Sequence, residues 1–403
     1  MPPVAPAVAT GAGRGLTGPG GTRIIERTLD RREGTLKRRH VRMLALVAVL
    51  ALVGAACSGD EDGGGGGDGE ADVVRHAAGS TADAYIPQYR APEIFGDLFG
   101  ISTDEHLQMF EEGSLAAQVV ATGDADVGSG GFTNMVQLLE TGQDVKVFCP
   151  TQKDSTEHLI GRTDVITSLE QITDPDVRVA VESAGGFLNL LMNLVFLNRD
   201  IGITTDDLTN TVILEDGSLR LAAMAAGDVD VASLDLFEQA DLKAELGEDA
   251  VTVLSVVAED AEFLSNVLWA KTDWLAENAD VAARYCATVL YSNRQMASDY
   301  EQYKAALEEF SATGIEDEAV VQANWDFAKQ YEVWPYNTTV LTPEVIADQL
   351  QVSVDTGIIE PETGELGFED LVDTEVLAMA QEYLGGEVTA ADVDSGNIPE
   401  PNA

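Results

Sequence analysis

The chain has 403 residues, room for two or three domains. It carries 23 Lys+Arg against 70 Asp+Glu, a net charge of −47, which excludes phosphate-backbone binding as its main task because that needs basic patches. Hydrophobic residues make up 45%, enough for a folded core, and three cysteines with four histidines are too few for Cys-rich zinc or iron–sulfur sites.

Residues 1–36 are rich in Gly, Pro and Ala and have no periodicity. Lys37 to Arg42 is basic, Met43 to Ala56 is an apolar run of 14 residues, and Ala55-Ala56 supplies small residues before Cys57. That order makes residues 1–56 a leader with a signal peptide, because the apolar run is too short to span a membrane. The end of the run resembles a bacterial lipobox, in which Cys57 is lipidated and becomes the new N-terminus. Gly54 departs from the Leu or Val usual three residues before that Cys. A signal peptide needs none of residues 1–36, so a start at Val41 is expected. Residues 57–71 are Gly- and Asp-rich and read as a flexible tether. The leader holds nine Lys+Arg and three Asp+Glu, so residues 57–403 carry −53. A surface so charged stays soluble but repels itself unless salt screens it.

The body holds an internal similarity. Residues 111–129, EEGSLAAQVVATGDADVGS, and 215–233, EDGSLRLAAMAAGDVDVAS, match at ten of 19 positions with an offset of 104. The same offset aligns DVVRHAAGST from Asp72 with DVRVAVESAG from Asp176. Two copies of a β–α–α–β unit are expected. In each copy a helix opens at Ser114 or Ser218 as N-cap and ends at a Gly, and a short strand then leads into a polar loop. Strands are expected at 145–148, 158–161, 177–181, 251–257 and 265–271, with a helix opening on Ser183-Ala184-Gly185-Gly186 and a long one from Trp274 to Tyr300. This alternation is that of an α/β protein with two lobes.

The order VKVF, HLIGR, SLEQI, VRVAVESAGGFLNLL, a G-D-V-D strand with a D-L-F loop, and VLWAKTDWLAENADVAARY resembles the solute-binding proteins of ABC importers, in the nitrate/sulfonate/taurine and thiamine-pyrimidine group. Segments 333–359 and 368–385 are similar to that group as well. The resemblance implies a two-lobed periplasmic-binding-protein (Venus-flytrap) fold of type 2. Lobe one would be 72–153 plus 265–401 and lobe two 154–264, and ligand would bind in the cleft with hinge closure. It implies an extracytoplasmic, membrane-anchored monomer that hands a small organic or inorganic anion or zwitterion to a membrane permease. No cofactor, metal or nucleic acid is implied.

Ligands of open α/β sheets sit beyond the carboxyl ends of strands. The candidate contacts there are Ser80, Thr81, Tyr85 and Gln88 after the first strand, and Ser129, Gly130 and Phe132 after the repeat strand of lobe one. In lobe two they are Ser183, Gly185, Gly186 and Asn189 at a helix start, and Ser233, Asp235 and Phe237 after the second repeat strand. Backbone N–H groups at a helix start bind anions without Lys or Arg. Asp235 could accept a ligand amino group or simply cap a helix, and the aromatics could equally be core. Cys149 and Cys286 are expected in lobe one, either bonded or as separate buried thiols. No G-x-S-x-G, H-E-x-x-H or P-loop occurs, so an enzyme on the same fold and a surface sensor or adhesion module are the lesser alternatives.

Overall fold

The computed structural model describes residues 71–402 except 81–82, 104–105, 111–112, 183–185, 261–262 and 311–316. The leader, Cys57, residues 58–70, Thr81, Ser183 and Gly185 therefore lie outside the described residues. No helix among the described residues is long and apolar enough to cross a membrane.

Twelve strands are described: β1 (Asp72–Val73), β2 (His76–Ala78), β3 (Ile101–Ser102), β4 (Leu107–Met109), β5 (Val127–Gly131), β6 (Val145–Gln152), β7 (His158–Arg162), β8 (Val179–Val181), β9 (Thr211–Ile213), β10 (Val231–Leu234), β11 (Val251–Val256) and β12 (Asn266–Lys271). They form two five-stranded sheets, β4-β2-β5-β12-β6 and β9-β8-β10-β7-β11, while β1 and β3 pair separately. The pairing is the same in both. The first three strands are parallel, and the fourth, β12 or β7, runs antiparallel to both its neighbours. That fourth strand is the one the chain enters directly after crossing from one sheet to the other. The crossings are 153–157 and 257–265, and each sheet carries its own core on both faces. The fold is thus α/β and two-lobed.

The internal repeat is present in the structure as two units of like pairing, and the structure corrects the alignment. Helices Gly113–Thr122 and Gly217–Ala226 are equivalent at the offset of 104. Both end at a left-handed glycine, Gly123 (φ 81°) and Gly227 (φ 74°), a conformation that glycine adopts at no steric cost. The first strands, however, match at 103. His76 pairs with Val127, and Val179 pairs with Val231. The register is marked by a clamp made twice. Arg75 donates its backbone N–H and its Nε to Asp126 Oδ2 (3.0 and 3.1 Å), and Arg178 does the same to Asp230 Oδ2 (2.9 and 2.9 Å). A constant offset would have put Val179 opposite Arg75 and turned every side chain to the other face.

Two further expectations change. The unit is β–α–β–α–β, because an edge strand, β4 or β9, separates its two helices. Three-residue edge strands carry too few residues to show a period. The second-copy helix is capped by Asp216, whose side chain accepts the Leu219 N–H at 3.1 Å, and not by Ser218. The long helix expected from Trp274 breaks at Asn278 into Thr272–Glu277 and Ala279–Ser298, and a third, Tyr300–Phe310, follows. Asn278 turns its Nδ2 back to the Trp274 carbonyl (3.0 Å), satisfying the helix end it interrupts.

Cys149 on β6 and Cys286 on helix Ala279–Ser298 are joined by a disulfide, with Cα atoms 5.4 Å apart. Beside them β12 buries Trp269 completely against Gly128 of β5, where a Cβ would stand 2.5 Å from the indole Nε1. Glycine at 128 is therefore a packing requirement.

Candidate functional site

The carboxyl ends of β2 and β5 in lobe one and of β8 and β10 in lobe two bring the candidate residues to the region between the sheets. The lobes touch there. A Cβ on Gly131 of lobe one would lie 2.9 Å from the Phe187 ring of lobe two. Phe237 of lobe two packs against the lobe-one cluster that contains Tyr303 and Trp334. Tyr331 donates its hydroxyl to Glu259 (2.6 Å), and the His158 ring meets Phe327 edge-on at 5.1 Å.

Lobe one presents hydroxyls and an amide, organised by a buried chain. Tyr285 OH and His76 Nδ1 are 2.7 Å apart, and His76 Nε2 and Ser129 Oγ 2.8 Å. Ser129 bonds Tyr89, whose hydroxyl donates to the Ser80 carbonyl at 2.8 Å. Burial holds the imidazole pKa down to about 3, so His76 is neutral and has one N–H. The proton order then follows from its end. Tyr89 donates to Ser80, so it accepts from Ser129. Ser129 accepts from His76 Nε2–H, and Nδ1 accepts from Tyr285. Ser129 is fully buried in this relay. Phe132 is likewise buried in the lobe-one core with Met135 and Trp269.

Tyr85 stands at the cleft end of helix Ile86–Phe99, and its hydroxyl is held by Asn266 and Ser80. Burial, then the nearby charges of Glu157 and Glu182, push that phenol above its ordinary pKa. Gln88 follows one turn later and is only 2% exposed, and neither its Oε1 nor its Nε2 has a hydrogen-bond partner. Gly130 stays in the ladder opposite Val267.

Lobe two presents carboxylates. Gly186 is the N-cap of helix Phe187–Asn198, but the helix start already has an acceptor, since Leu188 N–H donates to Glu182 Oε2 at 2.8 Å. Asn189 clamps the backbone of Glu182 on both sides, accepting its N–H and donating to its carbonyl (3.0 Å each). Ser233 donates to Glu157 Oε2 at 2.7 Å. Asp235 caps helix Leu236–Leu246 in a reciprocal box with Glu238, accepting its N–H at 2.9 Å while the Glu238 carboxylate accepts the Asp235 N–H at 3.1 Å. Burial raises the Glu182 carboxyl to about 7, with Glu215 and Glu157 adding to the rise and Arg220 and the Leu188 N–H opposing it. Burial, then Asp235 and Glu157, raise Glu238 well above the usual range. Arg220 lies behind this group with its Nε donated to the Ser233 carbonyl (3.0 Å).

Glu157, Glu182, Glu238, Tyr89 and the His76–Tyr285 pair were not singled out from sequence. Among 70 acidic residues no pair stands out. The one available signal was position, because Glu182 follows directly on a strand and precedes a helix. Among the described residues no group of His, Cys, Asp and Glu has the arrangement of a metal site.

With the two sheets and the cleft in hand, the class is plain: the fold is that of the periplasmic binding proteins. A protein of Bordetella bronchiseptica RB50 is similar with a TM-score of 0.62 and 18% identity, over 78% of this chain and 98% of that one. The periplasmic aliphatic sulphonate binding protein SsuA of Escherichia coli is similar with a TM-score of 0.57 and 16% identity, over 75% and 92%. The periplasmic nitrate-binding protein NrtA of Synechocystis PCC 6803 has a TM-score of 0.57 and 11% identity, over 82% and 92%. SsuA and NrtA are proteins of the group whose segment order this sequence resembles, and at such identities the likeness of all three is one of fold. No protein-family model matches the chain, and no curated protein matches it in sequence.

Proposed function

We propose that the protein is the extracytoplasmic solute-binding component of an ABC importer. It captures a small molecule between its lobes and hands it to a membrane permease, while a lipid on Cys57 and the Gly/Asp tether hold it at the membrane. What supports this reading is the pairing of two like sheets and the approach of Tyr85 of lobe one to the charges of Glu157 and Glu182, with Ser80 and Gln88 beside Tyr85 and Ser233 bonded to Glu157. The fold shared with SsuA and NrtA supports it, since both are named for small ligands they bind. Of the anions and zwitterions expected from sequence, the carboxylate-lined rim of lobe two favours a molecule with an amino group over a plain anion. Turnover is not part of the proposal.

The test is a thermal-shift screen followed by small-angle scattering with the hit. A raised Tm, a smaller radius of gyration and unchanged compound by mass spectrometry are expected. Consumption of the compound, or binding with no change in shape, would overturn solute capture by lobe closure. Replacing Cys57 by Ala should release the protein from membranes with binding intact.

A further inference from the structure

Lobe two turns a group of acids towards the cleft. Glu157 is its centre: it accepts from Ser233 and lies close enough to raise the carboxyl pKa of both Glu182 and Glu238 and the phenol pKa of Tyr85. Asp235 is bonded to Glu238. These four acids face one guanidinium, Arg220, and its Nε and Nη1 are already donated to the carbonyls of Ser233, Leu214 and Glu215. The helix start that could have held an anion is taken up by Glu182. An incoming anion would meet four acids here, with Nε and Nη1 of Arg220 already engaged.

Acids alone do not make a site, because they also line solvated surfaces. The second observation comes from the other lobe. Gln88 is 2% exposed, and both ends of its amide lack a partner. A buried amide with no partner is costly, so natural structures rarely leave one without a use. Gln88 lies at i+3 from Tyr85 and shares its face of helix Ile86–Phe99, and Tyr85 is the residue that senses Glu157 and Glu182. Helical side chains lean towards the helix N-terminus, which here is the cleft end. That lean carries the amide towards the Tyr85 end of the helix, with an acceptor oxygen and a donor nitrogen to offer.

We propose that the cleft recognises a cationic group, an ammonium or protonated amine, held between the Glu157–Glu182–Glu238 group of lobe two and Tyr85 and Gln88 of lobe one. The proposal rests on the solute-binding reading and names its ligand class. The ammonium supplies the positive charge that the acids lack, and a further polar part of the ligand pairs with the Gln88 amide. Each carboxylate here accepts one hydrogen bond, from Ser233, Leu188 N–H or Asp235 N–H, and an ammonium adds an opposite charge beside them.

The experiment uses probes with and without an ammonium group, measured by titration calorimetry on residues 57–403. Taurine is set against isethionate, and ethanolamine, choline and putrescine against acetate and nitrate. Binding is expected from ammonium-bearing probes alone, weakened at least 10-fold in Glu157→Gln. Should that variant unfold, Glu182→Gln is the second probe, with the same loss expected. Tight binding of isethionate or nitrate would overturn the cationic ligand and leave solute capture standing. Binding by neither set, with no change in radius of gyration, would overturn both.

Discussion

Ser129 and Ser233 stand at equivalent positions in two sheets of identical pairing, yet one is bonded to a neutral imidazole and the other to a carboxylate. Around Ser129 lobe one builds a relay of tyrosines and histidine that ends on the Ser80 carbonyl. Around Ser233 lobe two gathers Glu157, Glu182, Asp235 and Glu238. The Arg–Asp clamps and the left-handed glycines are the same in both, because they hold the backbone. The difference teaches that the scaffold was kept while the strand ends diverged into a neutral half and an acidic half. A ligand with two unlike ends fits such a cleft better than a symmetric one.

The comparison can be broken most forcefully at the disulfide. Only lobe one has a bonded pair of cysteines, and none of the three cysteines in the chain falls in 154–264. Replacing Cys149 and Cys286 by Ala should cost about 2–5 kcal/mol in urea unfolding. Hydrogen exchange should quicken around β6 and β12 first, and equal quickening in β7 and β10 would mean that the lobes do not unfold separately.

The next effect is in the relay. His76→Ala leaves Tyr285 and Ser129 buried without their partner, a cost of about 3 kcal/mol, while Ser233→Ala removes one bond to Glu157 and should cost about 1 kcal/mol. Denaturation midpoints of the two variants measure this, and equal losses would remove the distinction between the halves.

The smallest effect is in pH. The unfolded Glu182 carboxyl loses its proton near 4.5 and the folded one near 7, so its contribution to stability is full below pH 4.5 and falls away as pH rises to about 7. Glu238 acts in the same direction. Glu182→Gln should flatten the decline of the urea midpoint between pH 5 and 7.5, since an amide oxygen can still accept the Leu188 N–H. A slope unchanged from the parent would show that Glu182 is ionised throughout.

The α/β class was legible because strands such as VKVF and VRVAV are continuous apolar runs set between helical stretches. The repeat was legible in GSL at the helix start and in GD-x-D-V, where the Gly ends the helix and the second Asp makes the clamp. Its first strand was misregistered by one because both stretches open on Asp-Val, DVVR from Asp72 and DVRV from Asp176, and only the contact of Arg75 with Asp126 and of Arg178 with Asp230 decides the match. Asp235 as a helix cap and Phe132 as core were among the alternatives the residues left open.

By itself the sequence determined the order of a basic stretch, an apolar run and Cys57, the acidic balance and the alternation of elements, because these depend on composition and on spacing along the chain. Tertiary structure alone decided which few of 70 acids stand together, that His76 meets Ser129 and Tyr285, and that Gln88 is buried without a partner. The residues concerned are 53 positions apart in the case of His76 and Ser129, and 76 in that of Glu157 and Ser233. Electrostatic and hydrogen-bond energies depend on distance and burial, and a linear order of residues specifies neither until the chain has crossed twice between its sheets.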